Sequence, residues 1–176
     1  MLTVGVDDGS FQKGITRKAL LAVVLLRGVE IRNVGVTEVT VDGLDATQKL
    51  SEILSKWEFA VALLAGISFA GFNVIDPTVI YEKFGKPIIV ISKTRPDNKA
   101  VKSALQRHFE DWKIRWGVFE KLDSVRKISV LAGKPVYVEI VGIGVRLAAN
   151  IVRALSFYGR VPEPIRVARL IARGLS

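Results

Sequence analysis

The stretch Leu2-Thr3-Val4-Gly5-Val6-Asp7-Asp8 decides how the rest of the chain is interpreted. Its apolar and β-branched residues predict a short buried strand, and two carboxylates come at the carboxyl end of that strand. Two further strand-like segments, Ala19–Arg27 and Glu30–Val41, come next with short connections between them. Short connections join antiparallel neighbours, so we expect the three segments to form an antiparallel meander.

The rest of the chain alternates between helical and strand-like patterns. In order, the predicted segments are a helix Ala46–Lys56, a strand Phe59–Leu64, a helix Val74–Phe84, a strand Pro87–Ser92, a helix Asp97–Trp116, strands Lys127–Leu131 and Val136–Val141, and helices Val145–Tyr158 and Pro164–Arg173. Alternating βα units after an opening meander predict a mixed sheet with helices on both faces. We therefore expect one α/β domain over residues 1–176, with a mixed five-stranded sheet in a ribonuclease H-like arrangement.

Several polar residues follow directly after predicted strands. In open α/β sheets the functional site lies at the carboxyl ends of the strands. The residues expected to converge there are Asp7, Asp8, Asp42, Asp45, Gly66 and Lys93. The chain has no cysteine and one histidine, so a metal ion would be held mainly by carboxylates and water, which favours Mg²⁺ or Mn²⁺. The alternative is that the Asp-Gly pairs are turns and nothing more.

Charge and composition indicate the class of partner. The formal net charge is +9 at pH 7 and the pI is near 10.0. This balance favours an anionic partner, DNA before others, and the alternative is a merely soluble basic protein. Acidic residues at position 7 exclude a signal peptide, and glycines interrupt the uncharged segment Phe59–Ile75. We therefore expect a cytoplasmic protein that does not span a membrane.

A small-residue loop after the fourth predicted strand is a candidate for substrate binding. Its candidate residues are Gly66, Ile67, Phe69, Phe72 and Asn73. Backbone N–H groups in such a loop can approach a phosphate or a base closely, and the two phenylalanines offer stacking faces. The alternative is that both phenylalanines belong to the core.

Basic side chains supply a second set of candidates. Lys93 and Arg95 follow a buried strand, which favours contact with a phosphate over a solvated charge. Arg160 lies just before the last helix, and Arg166, Arg169 and Arg173 lie on one face of it. They form either a solvated face or a track for the nucleic-acid backbone, and a track would make binding strongly dependent on salt.

Five ordered segments resemble a known family nearly end to end. They read VGVDDGSF, VDGLDAT, AGISFAGFNVID, PIIVISKTRP and VPEPIRVARLIA. The chain resembles the archaeal-type endonuclease dU family, which is in turn similar to endonuclease V. The resemblance implies that Asp7 and Asp45 bind a metal ion, that Lys93 contacts the scissile phosphate, and that Gly66-Ile67 lines the pocket for an extruded base.

Two positions depart from the endonuclease V pattern. Leu63 stands where a third carboxylate is expected, and Val141 lies close to the position of a catalytic histidine. One hypothesis is a Mg²⁺-dependent endonuclease that acts on deoxyuridine-containing DNA in repair, with Asp8 or Asp42 completing the metal site. It depends on Asp7 and Asp45 lying close enough to share a cation. The alternatives are a nucleic-acid-binding protein without catalysis, and an interaction protein that forms a homodimer through an apolar sheet edge or helix face.

Overall fold

The main sheet has seven strands and mixed orientation. The computed structural model of the protein describes residues 1–130 and 133–176. The strands of the main sheet are β1 (Leu2–Asp8), β2 (Lys18–Arg27), β3 (Glu30–Thr40), β4 (Val61–Leu64), β7 (Ile88–Ser92), β8 (Arg126–Ser129) and β9 (Pro135–Val141). A separate two-stranded hairpin is made of β5 (Ser68–Phe69) and β6 (Asn73–Val74). The order in the main sheet is β3-β2-β1-β4-β7-β9-β8.

The predicted meander and the mixed sheet are confirmed. β1 pairs antiparallel with β2, and β2 with β3, whereas β1, β4 and β7 run parallel. The predicted count of five strands is wrong, because β9 pairs antiparallel with β7 and β8 extends the sheet beyond it. The segment predicted over Lys127–Leu131 is observed as β8, and its predicted last residue lies outside the described residues.

Helices cover both faces of the sheet. They are α1 (Ala46–Leu54), α2 (Pro77–Phe84), α3 (Asn98–His108), α4 (Trp112–Glu120), α5 (Val145–Leu155) and α6 (Glu163–Leu175). Successive strand residues point to opposite faces, so Val4 and Val6 pack on the side of α1 to α4, while Leu63 and Ile89 pack against α5 and α6. The β-branched and leucine-rich strands are buried on both sides for this reason.

The long helix predicted over Asp97–Trp116 is wrong, since two helices occupy this segment. Its apolar spacing continues past the end of α3, but the backbone of Phe109 is extended, at φ −133° and ψ 126°. The break redirects α4, and Arg115 of α4 then reaches the carbonyl oxygens of Gly43 and Phe72, at 2.9 and 2.8 Å. The break therefore accompanies contacts between α4 and distant segments, which the local helical pattern does not display.

Gly5 fixes the position of α6 over the sheet. A Cβ atom at this residue would lie 2.1 Å from the backbone carbonyl carbon and oxygen of Pro164. Only glycine allows the start of α6 to approach β1 this closely. The close approach carries Arg169, about one turn further along α6, to the end of β1.

One edge strand of the main sheet is β3, most of which is exposed. Ile31, Val34 and Val36 are at least 40% exposed on it, and dimer formation through this edge stays a prediction. None of the helices in the described part of the chain combines the length and apolar character needed to cross a membrane.

Candidate active site and nucleic-acid interface

Asp7, Gly66 and Lys93 meet at the carboxyl ends of the parallel strands β1, β4 and β7, in the middle of the main sheet. Gly66 and Lys93 line a cavity of about 150 Å³ together with Arg169 of α6. Arg169 donates a hydrogen bond from Nε to Oδ2 of Asp7 at 2.6 Å. The structure therefore brings these three predicted residues together, along with an arginine that lies 162 positions away from Asp7 in the sequence.

Asp7 is a buried acid in an ion pair. The residue is 5% exposed, and its Oδ1 accepts the backbone N–H of Asp8 at 2.9 Å. Burial raises the pKa of Asp7, and the positive charge of Arg169 opposes that rise. Arg169 therefore stabilises a negative charge at a position where burial disfavours it.

Lys93 lies among arginines beside this ion pair. Partial burial lowers the pKa of Lys93, and the neighbouring charges of Arg169, Arg160 and Arg173 lower it further. Cations held close together repel one another and create a strong local positive potential. The carboxyl ends of β1, β4 and β7 are therefore suited to bind an anion.

A second cavity, of about 280 Å³, shares Lys93, Val161 and Arg169 with the first. Its other lining residues are Tyr158, Gly159, Arg160 and Arg166. Of the arginines predicted to follow the nucleic-acid backbone, Arg160, Arg166 and Arg169 line this cavity. The positive charges of Arg169 and Arg160 lower the pKa of Lys93, whereas Arg166 donates two hydrogen bonds of 2.7 Å to the carboxylate of Glu163.

Asp8, Asp42 and Asp45 are directed elsewhere, toward the β5–β6 hairpin. Asp8 accepts a hydrogen bond from the backbone N–H of Ala70 at 2.6 Å, and Asp42 accepts one from the N–H of Phe72 at 2.9 Å. Asp45 accepts from the side-chain amide of Asn73 at 2.6 Å. These three carboxylates therefore hold the hairpin in place.

Asp45 is the best-satisfied of these acids. Oδ1 also accepts the backbone N–H of Thr40 at 3.0 Å, and Oδ2 accepts the hydroxyl of the same residue at 2.9 Å. Burial acts to raise the pKa of Asp45, but the hydrogen bonds from Thr40 and Asn73 outweigh it and lower the pKa. Asp45 thus has the hydrogen bonds of a structural carboxylate.

The backbone is strained where the two loops meet. Asp42 and Ala70 have φ values of 55° and 45°, in the left-handed region that L residues rarely adopt. They contact each other directly, because the N–H of Asp42 donates to the carbonyl oxygen of Ala70 at 2.8 Å. Strain of this kind persists only where the surrounding contacts over-determine the conformation.

The four predicted metal ligands do not assemble into one site. Asp7 and Asp8 are consecutive strand residues and project from opposite faces, and Asp42 and Asp45 bind the hairpin. Within residues 1–130 and 133–176, no three acidic or histidine side chains are grouped so that they could hold a metal ion. The described residues therefore do not fit a Mg²⁺ or Mn²⁺ centre that Asp7 and Asp45 share.

The predicted substrate loop is largely part of the core. Ile67, Phe69 and Asn73 are at most 5% exposed. The side-chain nitrogen of Asn73 donates hydrogen bonds to the carbonyl oxygen of Thr40 and to the carboxylate of Asp45, and its side-chain oxygen accepts the backbone N–H of Ala46. The expectation that Phe69 offers a stacking face is wrong, because its ring is enclosed in the core.

Three other predicted substrate residues differ in their accessibility. The half-buried Phe72 packs edge-on against Phe109, with 5.6 Å between ring centroids. Gly66 lines the cavity beside Lys93, and Arg95 is exposed two positions beyond Lys93. Gly66 is therefore the residue of this loop that the structure places at the cation cluster.

Arg173 shares the last helix with Arg166 and Arg169, and its positive charge acts on Lys93 from the end of α6. One residue of the site was not among the sequence candidates. Tyr158 lines the larger cavity, and it could have been found as an aromatic residue two positions before Arg160.

Comparison with known proteins identifies curated relatives over nearly the whole chain. The UPF0215 protein of Methanosarcina acetivorans is 34% identical over 178 residues, covering 98% of this chain and 89% of the relative. The UPF0215 protein of Pyrococcus furiosus is 37% identical over 175 residues, covering 96% of this chain and 89% of the relative.

Solved structures show the same fold. A protein of unknown function from Archaeoglobus fulgidus has a TM-score of 0.87 at 28% identity, covering 99% of this chain and 97% of that chain. Endonuclease V of Ciona intestinalis, in complex with a 23mer DNA containing an inosine followed by a ribo-adenosine, has a TM-score of 0.61 at 17% identity, covering 95% and 81%. At that identity the likeness shows the endonuclease V fold alone, as the sequence predicts.

A family model described as Endonuclease dU matches residues 1–176. This match spans every element that positions Asp7, Lys93 and the arginines of α6. The chain belongs to the Endonuclease dU family.

Proposed function

We propose that this protein is a DNA endonuclease that cleaves deoxyuridine-containing DNA at the strand ends where Asp7 and Lys93 meet. The observation that carries the proposal is that Lys93 and Arg169 line one cavity beside the buried Asp7, while the positive charges of Arg160 and Arg173 also act on Lys93. Membership of the Endonuclease dU family supports both the reaction and the choice of lesion. The net charge of +9 supports an anionic polymer as the partner.

In this proposal the basic residues bind and neutralise the scissile phosphate. Lys93 and Arg169 border the same cavity, so one phosphate placed there can accept hydrogen bonds from both. Their charges also stabilise the extra negative charge that develops on the phosphate oxygens in the transition state.

Asp7 is the general base in this proposal. When Arg169 binds a phosphate in place of Asp7, Oδ2 of Asp7 loses the hydrogen bond that it now accepts from Nε of Arg169 and is free to accept one from a water molecule. Burial of Asp7 then favours uptake of a proton, which suits a carboxylate that accepts a proton from an attacking water. We assign no step to Mg²⁺ or Mn²⁺, because the other predicted ligands are directed to the hairpin.

A specific observation favours a second candidate function, a DNA-binding protein without catalysis. Asp7 is paired with Arg169, and Asp8, Asp42 and Asp45 accept hydrogen bonds from the hairpin and from Thr40. The same cations would then hold the backbone of DNA in the absence of any reaction.

Incision of oligonucleotides separates the two functions. Single-stranded and duplex DNA with one deoxyuridine, and matched thymidine controls, are incubated with the wild type in Mg²⁺, Mn²⁺ or EDTA. We expect incision that falls about 100-fold or more in Asp7→Asn. Asp8→Asn is the matched control, because its side chain lies on the opposite face and asparagine can still accept the N–H of Ala70.

Each outcome has a clear meaning. Equal incision by the wild type and Asp7→Asn contradicts the nuclease proposal. Binding without incision, with a steep dependence on salt, supports the second function. Lys93→Ala should reduce the slope of log affinity against log salt by about 1, whereas Lys99→Ala, an equal charge change on α3, should leave it unchanged. Incision that EDTA abolishes would show that the reaction requires a metal ion.

A further inference from the structure

An exposed aromatic ring borders the cation cluster. Tyr158 lies in the loop between α5 and α6 and is 74% exposed, although it lines the cavity that contains Lys93 and Arg169. A tyrosine that is packed for stability is normally more buried, since burial of its ring is what stabilises the fold. The exposed ring of Tyr158 is therefore accessible to a ligand in this cavity.

The ring is supported from beneath. The guanidinium carbon of Arg166 lies 5.3 Å from the centroid of the Tyr158 ring, within the range of a cation–π contact. Arg166 is itself held by two hydrogen bonds of 2.7 Å to Glu163, which is 4% exposed. Arg166 therefore links the loop to a buried carboxylate, and it reduces the freedom that the ring would lose on binding a ligand.

The cavity joins the ring to the phosphate-binding cations. Its volume is about 280 Å³, and Arg160 and Val161 line it together with Tyr158 and Lys93. An aromatic face beside a positively charged groove is the arrangement that binds single-stranded nucleic acid, with the backbone on the cations and a base on the ring. Bases inside a duplex have both faces covered by their neighbours.

We propose that Tyr158 is a stacking platform for an unpaired nucleobase whose backbone phosphate lies on Lys93 and Arg169. The proposal rests on the proposed function in taking DNA as the partner, and it defines the substrate class of the same site. The preferred substrate is single-stranded DNA.

Binding measurements without cleavage test the platform. Fluorescence anisotropy in EDTA compares three ligands of equal length, which are a single strand, a duplex, and an oligomer of abasic residues that keeps the phosphates. Tyr158→Ala should bind the single strand about tenfold more weakly than the wild type, since stacking of this kind is removed by alanine. Its affinity for the abasic oligomer and its salt slope should stay unchanged.

Matched variants separate stacking from other effects. Tyr158→Phe keeps the ring and should stay within about twofold of the wild type, whereas Tyr158→Leu keeps apolar bulk without an aromatic face and should behave as alanine does. Phe157→Ala removes the neighbouring exposed aromatic, which does not line the cavity, and should leave binding unchanged. Thermal unfolding of each variant checks that the loop change leaves the fold intact.

Three results would overturn the platform: wild-type affinity in Tyr158→Ala, an equal loss on the abasic oligomer, or a wild type that binds duplex and not single strands. These results are distinguishable from failure of the nuclease proposal. Stacking on Tyr158 without any incision leaves the platform standing and contradicts catalysis. Incision that depends on Asp7 but not on Tyr158 supports catalysis and contradicts the platform.

Discussion

Glu139 carries a buried charge that should limit the stability of the protein near neutral pH. It lies on β9, opposite Val90 of β7, and is 5% exposed. Burial raises the pKa of Glu139 from 4.5 to about 7. The unfolded chain therefore loses this proton at a lower pH than the native protein does, and the native state binds more protons between those two values.

The sign and size of the effect follow from this shift. Because the pKa is raised in the folded state, the full stability is present below pH 4.5 and is lost as the pH rises through about 7. A shift from 4.5 to about 7, at 1.36 kcal/mol per unit, corresponds to about 3 kcal/mol. Glu139→Gln keeps the shape and removes the ionisation. It should match the wild type near pH 4 and be about 3 kcal/mol more stable at pH 8.

Urea unfolding at a series of pH values measures this difference. In thermal unfolding, a gain of about 3 kcal/mol corresponds to a rise in Tm of about 6–12 °C for a chain of this size. Glu120→Gln is the matched control, because it makes the same change at an exposed position of α4 and should show no such trend. A gain that is equal at pH 4 and pH 8, or no gain at pH 8, would refute the reasoning.

Two further predictions concern the packing of α6 on the sheet and the hydrogen bonds of Arg115. Gly5→Ala should lower the free energy of unfolding by about 3 kcal/mol or more in urea denaturation, because the new Cβ would clash with the backbone of Pro164. Gly117→Ala, in an open position of α4, should instead add about 0.5–1 kcal/mol, and similar effects of both variants would contradict the packing argument. Arg115→Met should lower stability by about 3 kcal/mol and speed hydrogen exchange in the β5–β6 hairpin, since two carbonyl oxygens lose their donor; unchanged exchange there would show that the hairpin does not depend on Arg115.

Much of the architecture could be predicted from local patterns. Apolar β-branched segments such as Val61–Leu64 and Ile88–Ser92 predict buried strands, because a strand covered on both faces needs apolar residues at every position. The helix boundary at Phe109 could not be predicted this way. The apolar spacing continues through it, and the contact of Arg115 with the carbonyl oxygen of Phe72 is visible only in the tertiary structure.

The candidate site shows the same division. Asp7 lies at the end of β1, and Gly66 and Lys93 come just after β4 and β7, which run parallel to β1, so their convergence follows from strand order. The acidic cluster predicted with them is divided, since a single residue of offset turns Asp8 to the other face. The partner of Asp7 is Arg169, and no pattern near either residue in the sequence announces that pair.

The sequence by itself determined the strand and helix alternation, the mixed sheet, the strongly basic charge and the family. These properties depend on composition and on neighbours along the chain, which a sequence displays directly. Only the tertiary structure decided which acids serve the hairpin, which cations gather around Lys93, and that Tyr158 is exposed beside them. Side-chain partners are chosen when distant segments pack, and a close approach such as that of Gly5 to Pro164 sets them for a whole helix.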